Sequence, residues 1–174
     1  MSWSDLMPGR GTMRALGFLG LASSLAGCFH PMYGGVAGSQ LRDKLAAIKV
    51  DPISDRVGHY LGNELMFDLN GTGSDIPPVY RLTVTLAERV QTPLVDTYSG
   101  RATAGTVVID ATYRLTNIAD GKLITQGIAF TAASYDRTSQ RFADMRAARD
   151  AEIRDAKTLA DQIQTRVAAA LSTD

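Results

Sequence analysis

The sequence predicts an α+β domain in which two helices pack on one face of a mixed or antiparallel four-stranded sheet, in the order β-α-β-β-β-α. Three observations predict this fold class. Apolar and polar residues alternate along several stretches, which is typical of half-buried strands. In one stretch between such strands apolar residues recur every four positions, and a long stretch rich in alanine, arginine and acidic residues closes the chain. The simplest compact arrangement lays both helices over one face of a single sheet.

The first strand is predicted over residues 46–53, where apolar and charged residues alternate. Pro52 ends the pattern, as is usual near the edge of a sheet. A helix follows, with Ser54 or Asp55 as its cap, because apolar residues then recur at a spacing of four. These apolar residues are Val57, Leu61, Leu65 and Leu69.

The predicted first helix contains two glycines, Gly58 and Gly62. Each glycine disfavours the helix by about 1 kcal/mol relative to alanine. The helix therefore depends on packing or on close approach to a neighbouring segment. Asn70 and Gly71 end it.

Three strands follow this helix. The second strand is predicted over residues 80–87, where the alternation is strict and β-branched residues lie on the polar side. The third strand, residues 107–116, is expected to have one solvated face, and the fourth is predicted over residues 123–134. Asp120 and Gly121 lie between the last two strands and form a strong hairpin signal. These two strands are therefore expected to be antiparallel neighbours.

A long helix is predicted over residues 142–171, which contain no glycine or proline. Alanines in its apolar stripe permit close packing on a sheet. Its acidic residues, among them Glu152 and Asp155, are interspersed with arginines and are interpreted as its solvated face. The larger apolar residues of the stripe are Met145, Ile153, Leu159, Ile163, Val167 and Leu171.

Residues 1–27 are predicted to be a lipoprotein signal peptide. Residues 15–26 form an apolar run of 12 residues, with one arginine directly before it and a second further upstream. The run has signal-peptide length and is too short to span a bilayer of about 30 Å. Small residues then precede Cys28, the only cysteine, and the pattern resembles the lipobox of bacterial lipoproteins. Cys28 is therefore the predicted lipid-attachment site. The residues before Met13 fit poorly with such a signal, and Met13 would itself begin a normal signal sequence.

Two less favoured alternatives for the N-terminal segment are a plain secretory signal with an incidental cysteine and a buried free thiol in a cytosolic protein. Removing 27 of the 174 residues leaves 147, which is one domain by length. Residues 28–38 lack helical or strand periodicity and are predicted to be a lipidated tether. Residues 39–174 are predicted to form the single domain.

Charge and composition exclude several function classes. The chain has 18 Lys and Arg against 18 Asp and Glu, so it lacks the basic excess of a nucleic-acid-binding protein. With Cys28 modified, no cysteine remains for a disulfide or a thiolate metal site. His30 and His59 have no evident ligand or catalytic partner, and no nucleophile or phosphate-binding motif is present. The sequence therefore predicts no enzyme, no cofactor and no metal site.

Residues 28–34, Cys-Phe-His-Pro-Met-Tyr-Gly, closely resemble the opening Cys-Gly-Phe-x-Pro-Leu-Tyr-Gly of the LptE family, the lipopolysaccharide-assembly lipoproteins of the Gram-negative outer membrane. They differ in lacking the glycine after the cysteine and in carrying Met32 for leucine. Residues 113–115, 134–135 and 146–152 look like the alphaproteobacterial form of the family. The order of strands and helices also resembles that of the family's domain from end to end.

This resemblance implies an outer-membrane lipoprotein, anchored on the periplasmic side through acyl chains such as palmitate, that is not an enzyme. It implies that the domain sits in the lumen of an LptD-like β-barrel, plugs and supports it, and helps to place lipopolysaccharide in the outer leaflet. Phe29 agrees with outer-membrane sorting, because an aspartate at this position favours inner-membrane retention in many Gram-negative bacteria. The expected partners are the barrel, lipopolysaccharide and the membrane.

Arg89 and Arg101 are the candidate lipopolysaccharide-binding residues. Arg101 lies in the glycine-containing segment 98–105 between the second and third strands, and Arg89 lies at the preceding strand end. The simpler interpretation is a hairpin loop with ordinary surface arginines. Together with the resemblance, a second interpretation is contact with lipid phosphates, because a guanidinium offers a planar, always-charged fork to an anion.

Two other function classes stay open. A lipid-anchored scaffold or binding module of another envelope complex would suit the same fold, because one fold serves many functions. A lipid-anchored enzyme is disfavoured, because no candidate nucleophile has a recognisable base and orienting partner.

Overall fold

The computed structural model describes residues 35–71, 76–92 and 102–173. The elements in chain order are α1 (Gly35–Ala46), β1 (Ile48–Val50), α2 (Asp55–Asn70), β2 (Tyr80–Gln91), β3 (Ala104–Asn117), β4 (Leu123–Asp136) and α3 (Arg141–Ser172). This confirms the predicted α+β class and the order β-α-β-β-β-α, with α1 as an additional helix in front. No helix in the described ranges is long and apolar enough to cross a lipid bilayer.

The sheet is mixed and has the strand order β1-β2-β3-β4. β1 is parallel to β2, and α2 makes the crossover between them, whereas β2, β3 and β4 are antiparallel neighbours. The hairpin predicted at Asp120 and Gly121 is confirmed. Gly121 has a φ of 70°, which favours glycine, and the backbone N–H of Lys122 donates to the Asp120 carboxylate over 3.0 Å.

Both α2 and α3 pack on the same face of the sheet, α2 near β1 and α3 on β3 and β4, and they also pack on each other. The predicted periodicities account for this core. Every second residue of β2 and β3 faces the helices, and the alanines of α3 allow close contact. The largest fully buried side chains are Leu61, Leu65, Leu82, Ile109, Leu115, Leu159, Ile163, Leu171, Val57, Val107, Val167 and Asp155.

Gly58 makes the close approach expected of a glycine inside a helix. A Cβ on Gly58 would lie 2.8 Å from Ile53 Cγ2 and 2.9 Å from the Ile53 carbonyl oxygen. Gly62 lies in a looser environment, because its Cβ would be 3.9 Å from Ile53 Cδ1. Only Gly58 is therefore required by packing.

The sequence did not predict α1, whose first residues, 35–38, belong to the segment interpreted as a tether. Its glycines and its mixed polar composition hide the helical period. From Ser39 onward only Leu41 and Leu45 repeat at a spacing of four, and both are buried in the core. β1 is also shorter than predicted, because the chain leaves the sheet at Pro52 and turns into α2.

One prediction for α3 is wrong. Glu152 and Asp155 are not on its solvated face but are 4% and 1% exposed, whereas Met145 and Ile153 of the predicted apolar stripe are 58% and 41% exposed. In the first half of the helix the buried face is therefore rotated relative to the predicted apolar stripe. The two carboxylates can be buried because each has a polar partner on a neighbouring element.

Candidate functional site

The predicted site residues are only partly within the described ranges. Cys28 and the signal peptide 1–27 lie outside them, and so does Arg101 with residues 98–100 of the predicted loop. Arg89 is described. It lies near the end of β2, with its side chain about half exposed at 49%.

Arg89 forms an ion pair with Asp110 of β3, through Nη1 and Oδ2. In the sheet register Arg89 is opposite Val108, so Asp110 is its diagonal neighbour. Exposed ion pairs of this kind contribute roughly 0–1 kcal/mol to stability. Arg89 is thus a surface arginine with a carboxylate partner, and a phosphate that bound it would compete with Asp110.

The side of the sheet away from the helices is named the open face, and Arg89 and Asp110 lie on it. Next to them on the neighbouring strand are two large apolar residues, Ile128 at 62% exposure and Phe130 at 52%. Val108 also lies on this face and is only 4% exposed, although it does not belong to the helix-covered core. The open face thus combines an apolar strip on β4 with a neutralised charge pair on β2 and β3.

An arginine–carboxylate pair lies on the other side of the sheet, between the first turn of α2 and the first half of α3. Arg56 of α2 binds Glu152 of α3 with both arms of a fork, Nε to Oε2 at 2.8 Å and Nη2 to Oε1 at 2.5 Å. The Glu152 side chain is 5% exposed and that of Arg56 is 56% exposed. The hydrogen bond with Glu152 raises the pKa of Arg56. This pair joins the first turn of α2 to the first half of α3.

Asp155 is buried one turn further along α3. Its Oδ1 accepts a hydrogen bond of 2.8 Å from the Thr131 hydroxyl of β4, while no described group bonds to its buried Oδ2. Burial raises the pKa of Asp155, and the Thr131 hydrogen bond opposes that shift. Glu88 on β2 also has a raised pKa, because its carboxyl group is partly desolvated and because of the negative charge of Glu152.

This arrangement holds elements together and offers no evident chemistry. Glu152 is bound to an arginine, which is not a nucleophile. Asp155 accepts from the Thr131 hydroxyl, but Thr131 is only 8% exposed and holds no position open to a substrate. In the part of the chain that the structure describes, no three acidic, histidine or cysteine side chains are grouped to hold a metal ion. His59 lies exposed on α2, with Nε2 at 3.4 Å from Asn63 Nδ2.

Sequence reasoning missed the Arg56–Glu152 and Thr131–Asp155 pairs. A signal was present, because Glu152 and Asp155 continue the three-to-four spacing of Leu159 and Ile163 and so lie on the buried stripe. The partners could not be inferred, since Arg56 is 96 positions away from Glu152 in the chain.

The outer edge of β4 is covered by side chains of α3. Gln162 Nε2 donates to the Phe130 carbonyl over 3.1 Å, and Arg166 Nη1 donates to the Ile128 carbonyl over 2.6 Å. Arg154 Nη2 donates to a third carbonyl, that of Ser134, over 3.2 Å. These bonds occupy backbone groups that an exposed edge strand would offer to another strand.

A family model described as LptE, lipopolysaccharide-assembly, matches residues 45–167. This match includes β1 to β4, α2 and most of α3. No protein with a curated description matches the sequence significantly.

Several solved structures share the fold. A candidate lipoprotein from Caulobacter crescentus CB15 aligns with a TM-score of 0.67 and 23% identity, over 78% of this chain and 98% of that one. A minor lipoprotein from Acinetobacter baumannii aligns with a TM-score of 0.55 and 19% identity, over 70% and 90% of the two chains. The rare lipoprotein B from Shewanella oneidensis also gives 0.55, with 10% identity over 72% and 96%. At these identities the likeness concerns the fold.

Proposed function

Because the chain belongs to the LptE family of lipopolysaccharide-assembly lipoproteins, we propose that it is an outer-membrane lipoprotein that plugs and supports an LptD-like β-barrel and helps to insert lipopolysaccharide into the outer leaflet. The observation that carries this proposal is the family match over residues 45–167, which spans the whole sheet, α2 and most of α3. The protein acts through binding and not as an enzyme.

In this proposal Cys28 carries the anchor. Acyl chains contribute roughly 0.8 kcal/mol for each buried CH₂ group, so several chains on one cysteine hold a domain at a membrane without a transmembrane helix. The apolar run before Cys28 directs export and is then removed. We expect replacement of Cys28 by serine to abolish acylation, because the serine hydroxyl does not replace the thiolate as acceptor of the diacylglyceryl group.

The domain supplies rigid surfaces for the barrel. The open face carries the exposed Phe130 and Ile128 beside the Arg89–Asp110 pair, a mixture of apolar and polar groups that suits contact with another protein. Arg89 and Arg101 are proposed to meet lipopolysaccharide phosphates. For Arg89 this requires a phosphate to take the place of Asp110 as the partner of the guanidinium.

Copurification tests the proposal. The tagged full chain is extracted in detergent from outer membranes of its own species, and the bound proteins are identified and quantified. We expect one large outer-membrane β-barrel in equal amount. Recovery of soluble periplasmic partners alone would support the alternative of a scaffold for another envelope complex. Cys28→Ser serves as the control, because it keeps the folded domain and loses the anchor.

A further inference from the structure

Among the strands that the structure describes, none lies beside most of β2 on one of its two sides. β1 pairs only with its first three residues, through Ile48 with Tyr80, Lys49 with Arg81 and Val50 with Leu82. β2 then continues to Gln91, while the chain after β1 turns away into α2. The part of β2 from residue 84 to residue 90, on the side of β1, is named the free edge.

The direction of the backbone groups at the free edge follows from the bonds beside it. The Tyr80 N–H donates to the Ala47 carbonyl over 3.2 Å, and the Leu82 carbonyl accepts from the Asp51 N–H over 2.9 Å, so both residues direct their backbone toward β1. Every second residue of a strand does the same. The residues of the free edge that point this way are Val84, Leu86, Glu88 and Val90.

The backbone N–H and C=O groups of these four residues have no partner among the described residues. Within residues 35–71, 76–92 and 102–173, no backbone or side-chain group bonds to their N–H or C=O groups on this side. Residues 87–91 of the strand are all exposed, although Val107 and Ile109 opposite them on β3 are 1% and 0% exposed, whereas Val84 at the start of the free edge is 6% exposed. A bare edge of this kind is a template for another strand.

The opposite edge of the sheet differs. Three carbonyls of β4 accept hydrogen bonds from the α3 side chains Arg154, Gln162 and Arg166. The free edge of β2 has no such cover among the described side chains, and residues 84–90 contain no proline or lysine. Among the described side chains, hydrogen bonds thus cover the β4 edge and not the free edge of β2.

The side chains along the free edge define what fits there. On the side that faces the helices, Val84, Leu86 and Val90 are apolar, and Glu88 lies between them. Glu88 is close enough to Glu152 and Asp55 to feel their negative charges, and Arg56 supplies the opposing positive charge. A strand added here would therefore meet an apolar surface with an acidic centre.

We propose that the free edge of β2 binds an extended segment of another protein, which adds to the sheet as a fifth strand and places a basic side chain beside Glu88 between apolar side chains. Main-chain hydrogen bonds to the four edge residues supply affinity, and the contact with Glu88 supplies selectivity. A second copy of this chain fits less well, because antiparallel pairing centred on Glu88 would bring two like charges together. The proposal goes beyond the barrel-supporting function and does not depend on which protein supplies the segment.

The test uses the full chain in detergent and two short fluorescent peptides in which threonine alternates with valine and one central charged residue. One peptide carries lysine at the centre and the other glutamate. We expect the lysine peptide to bind roughly threefold more tightly, and Glu88→Lys to reverse the preference. Amide exchange of Val84, Leu86, Glu88 and Val90 should slow when the lysine peptide binds.

Val90→Pro tests the edge itself, because it removes an outward N–H without breaking the ladder to β3, and proline is tolerated at sheet edges. We expect Val90→Pro to lower the affinity for the lysine peptide about fivefold. The affinity of the matched Val90→Ala variant should stay within about twofold of that of the wild type. Thermal melts check that both variants fold. Equal affinity for the two peptides, no slowed exchange at the four amides, or unchanged binding by Val90→Pro would overturn the proposal. A concentration-dependent dimer that Val90→Pro abolishes would overturn it in favour of a second copy.

Discussion

Arg56 and Glu152 lie 96 positions apart in the chain, yet two hydrogen bonds of 2.8 and 2.5 Å join them, between the first turn of α2 and the first half of α3. Because Glu152 is almost fully buried, removing its partner leaves a carboxylate without compensation. We expect Arg56→Ala to lower the free energy of unfolding by about 2 kcal/mol, the scale of hydrogen bonds to charged groups. Urea denaturation measures the change.

A double-mutant cycle separates the interaction between Arg56 and Glu152 from the contribution of the packing around them. Arg56→Met combined with Glu152→Met removes both charges, so the double variant should be more stable than Arg56→Met alone. Strictly additive losses from the two single variants would show that the two residues do not stabilise each other.

Asp155 predicts a pH dependence of stability. Burial raises its pKa in the folded protein above the ordinary value of 3.8, so between that value and the folded pKa the folded state binds more protons than the unfolded state. The contribution of Asp155 to stability is therefore more favourable below this window and is lost as pH rises through it. Asp155→Asn removes the titration, and we expect its stability relative to the wild type to improve as pH rises through the window. Urea denaturation from pH 3 to pH 8 of both proteins tests this; a difference that is constant across the range would contradict it.

Gly127 and Tyr113 predict a steric effect on the β3–β4 hairpin. They are paired across the two strands, and a Cβ on Gly127 would lie 2.8 Å from the Tyr113 hydroxyl oxygen and 3.0 Å from Cζ. Tyr113 is 3% exposed, so its ring has little room to move. Gly127→Ala should therefore destabilise the fold by about 1–3 kcal/mol.

The matched control is Gly62→Ala in α2, where the new methyl group meets only ordinary van der Waals contact. This change should stabilise the helix by up to about 1 kcal/mol. If both glycine variants shifted the urea midpoint in the same direction, the close contact with Tyr113 would not be the cause.

The strands and the two main helices could be predicted from the sequence because each buries one face, and burial of one face leaves a period in the residues. Alternation along residues 80–87 and 107–116 therefore gave the strands, and Asp120 with Gly121 gave the hairpin. The same reasoning failed at Glu152 and Asp155. Their charge suggested a solvent-exposed position. Their burial instead depends on Arg56 and Thr131, which are brought close only by the fold.

At the candidate anion site, too, the sequence pattern could not predict a contact between distant residues. Arg89 was predicted at the surface, and its exposure agrees. Its partner Asp110 is 21 positions away on the next strand, and the pairing depends on the register of β2 and β3, which the sequence pattern does not specify. α1 was missed for a different reason, because its glycine-containing start has little helical signal.

The Arg89–Asp110 pair gives a prediction for lipopolysaccharide binding. If Arg89 and Arg101 contact lipid phosphates, Arg89→Ala with Arg101→Ala should weaken binding by a few kcal/mol at low salt and by less at high salt, because ions screen surface charges. Asp110→Asn should strengthen binding, since it releases Arg89 from its carboxylate. Binding of purified full-length protein at two ionic strengths measures both effects.

A thermal melt accompanies these binding measurements, because the exposed pair should contribute at most about 1 kcal/mol to stability. Affinity that is unchanged in all these variants at low salt would leave Arg89 and Arg101 as ordinary surface arginines. A large fall in Tm would instead assign them a role in holding the fold together.

The most direct measurement of the central claim is lipopolysaccharide at the cell surface after depletion of this protein in its own Gram-negative species. The account predicts that newly made lipopolysaccharide stops reaching the surface and that the level of the partner barrel falls, and that the wild-type chain restores both while Cys28→Ser does not. Delivery of lipopolysaccharide to the surface at the normal rate, with the protein depleted and the barrel at its normal level, would contradict the account.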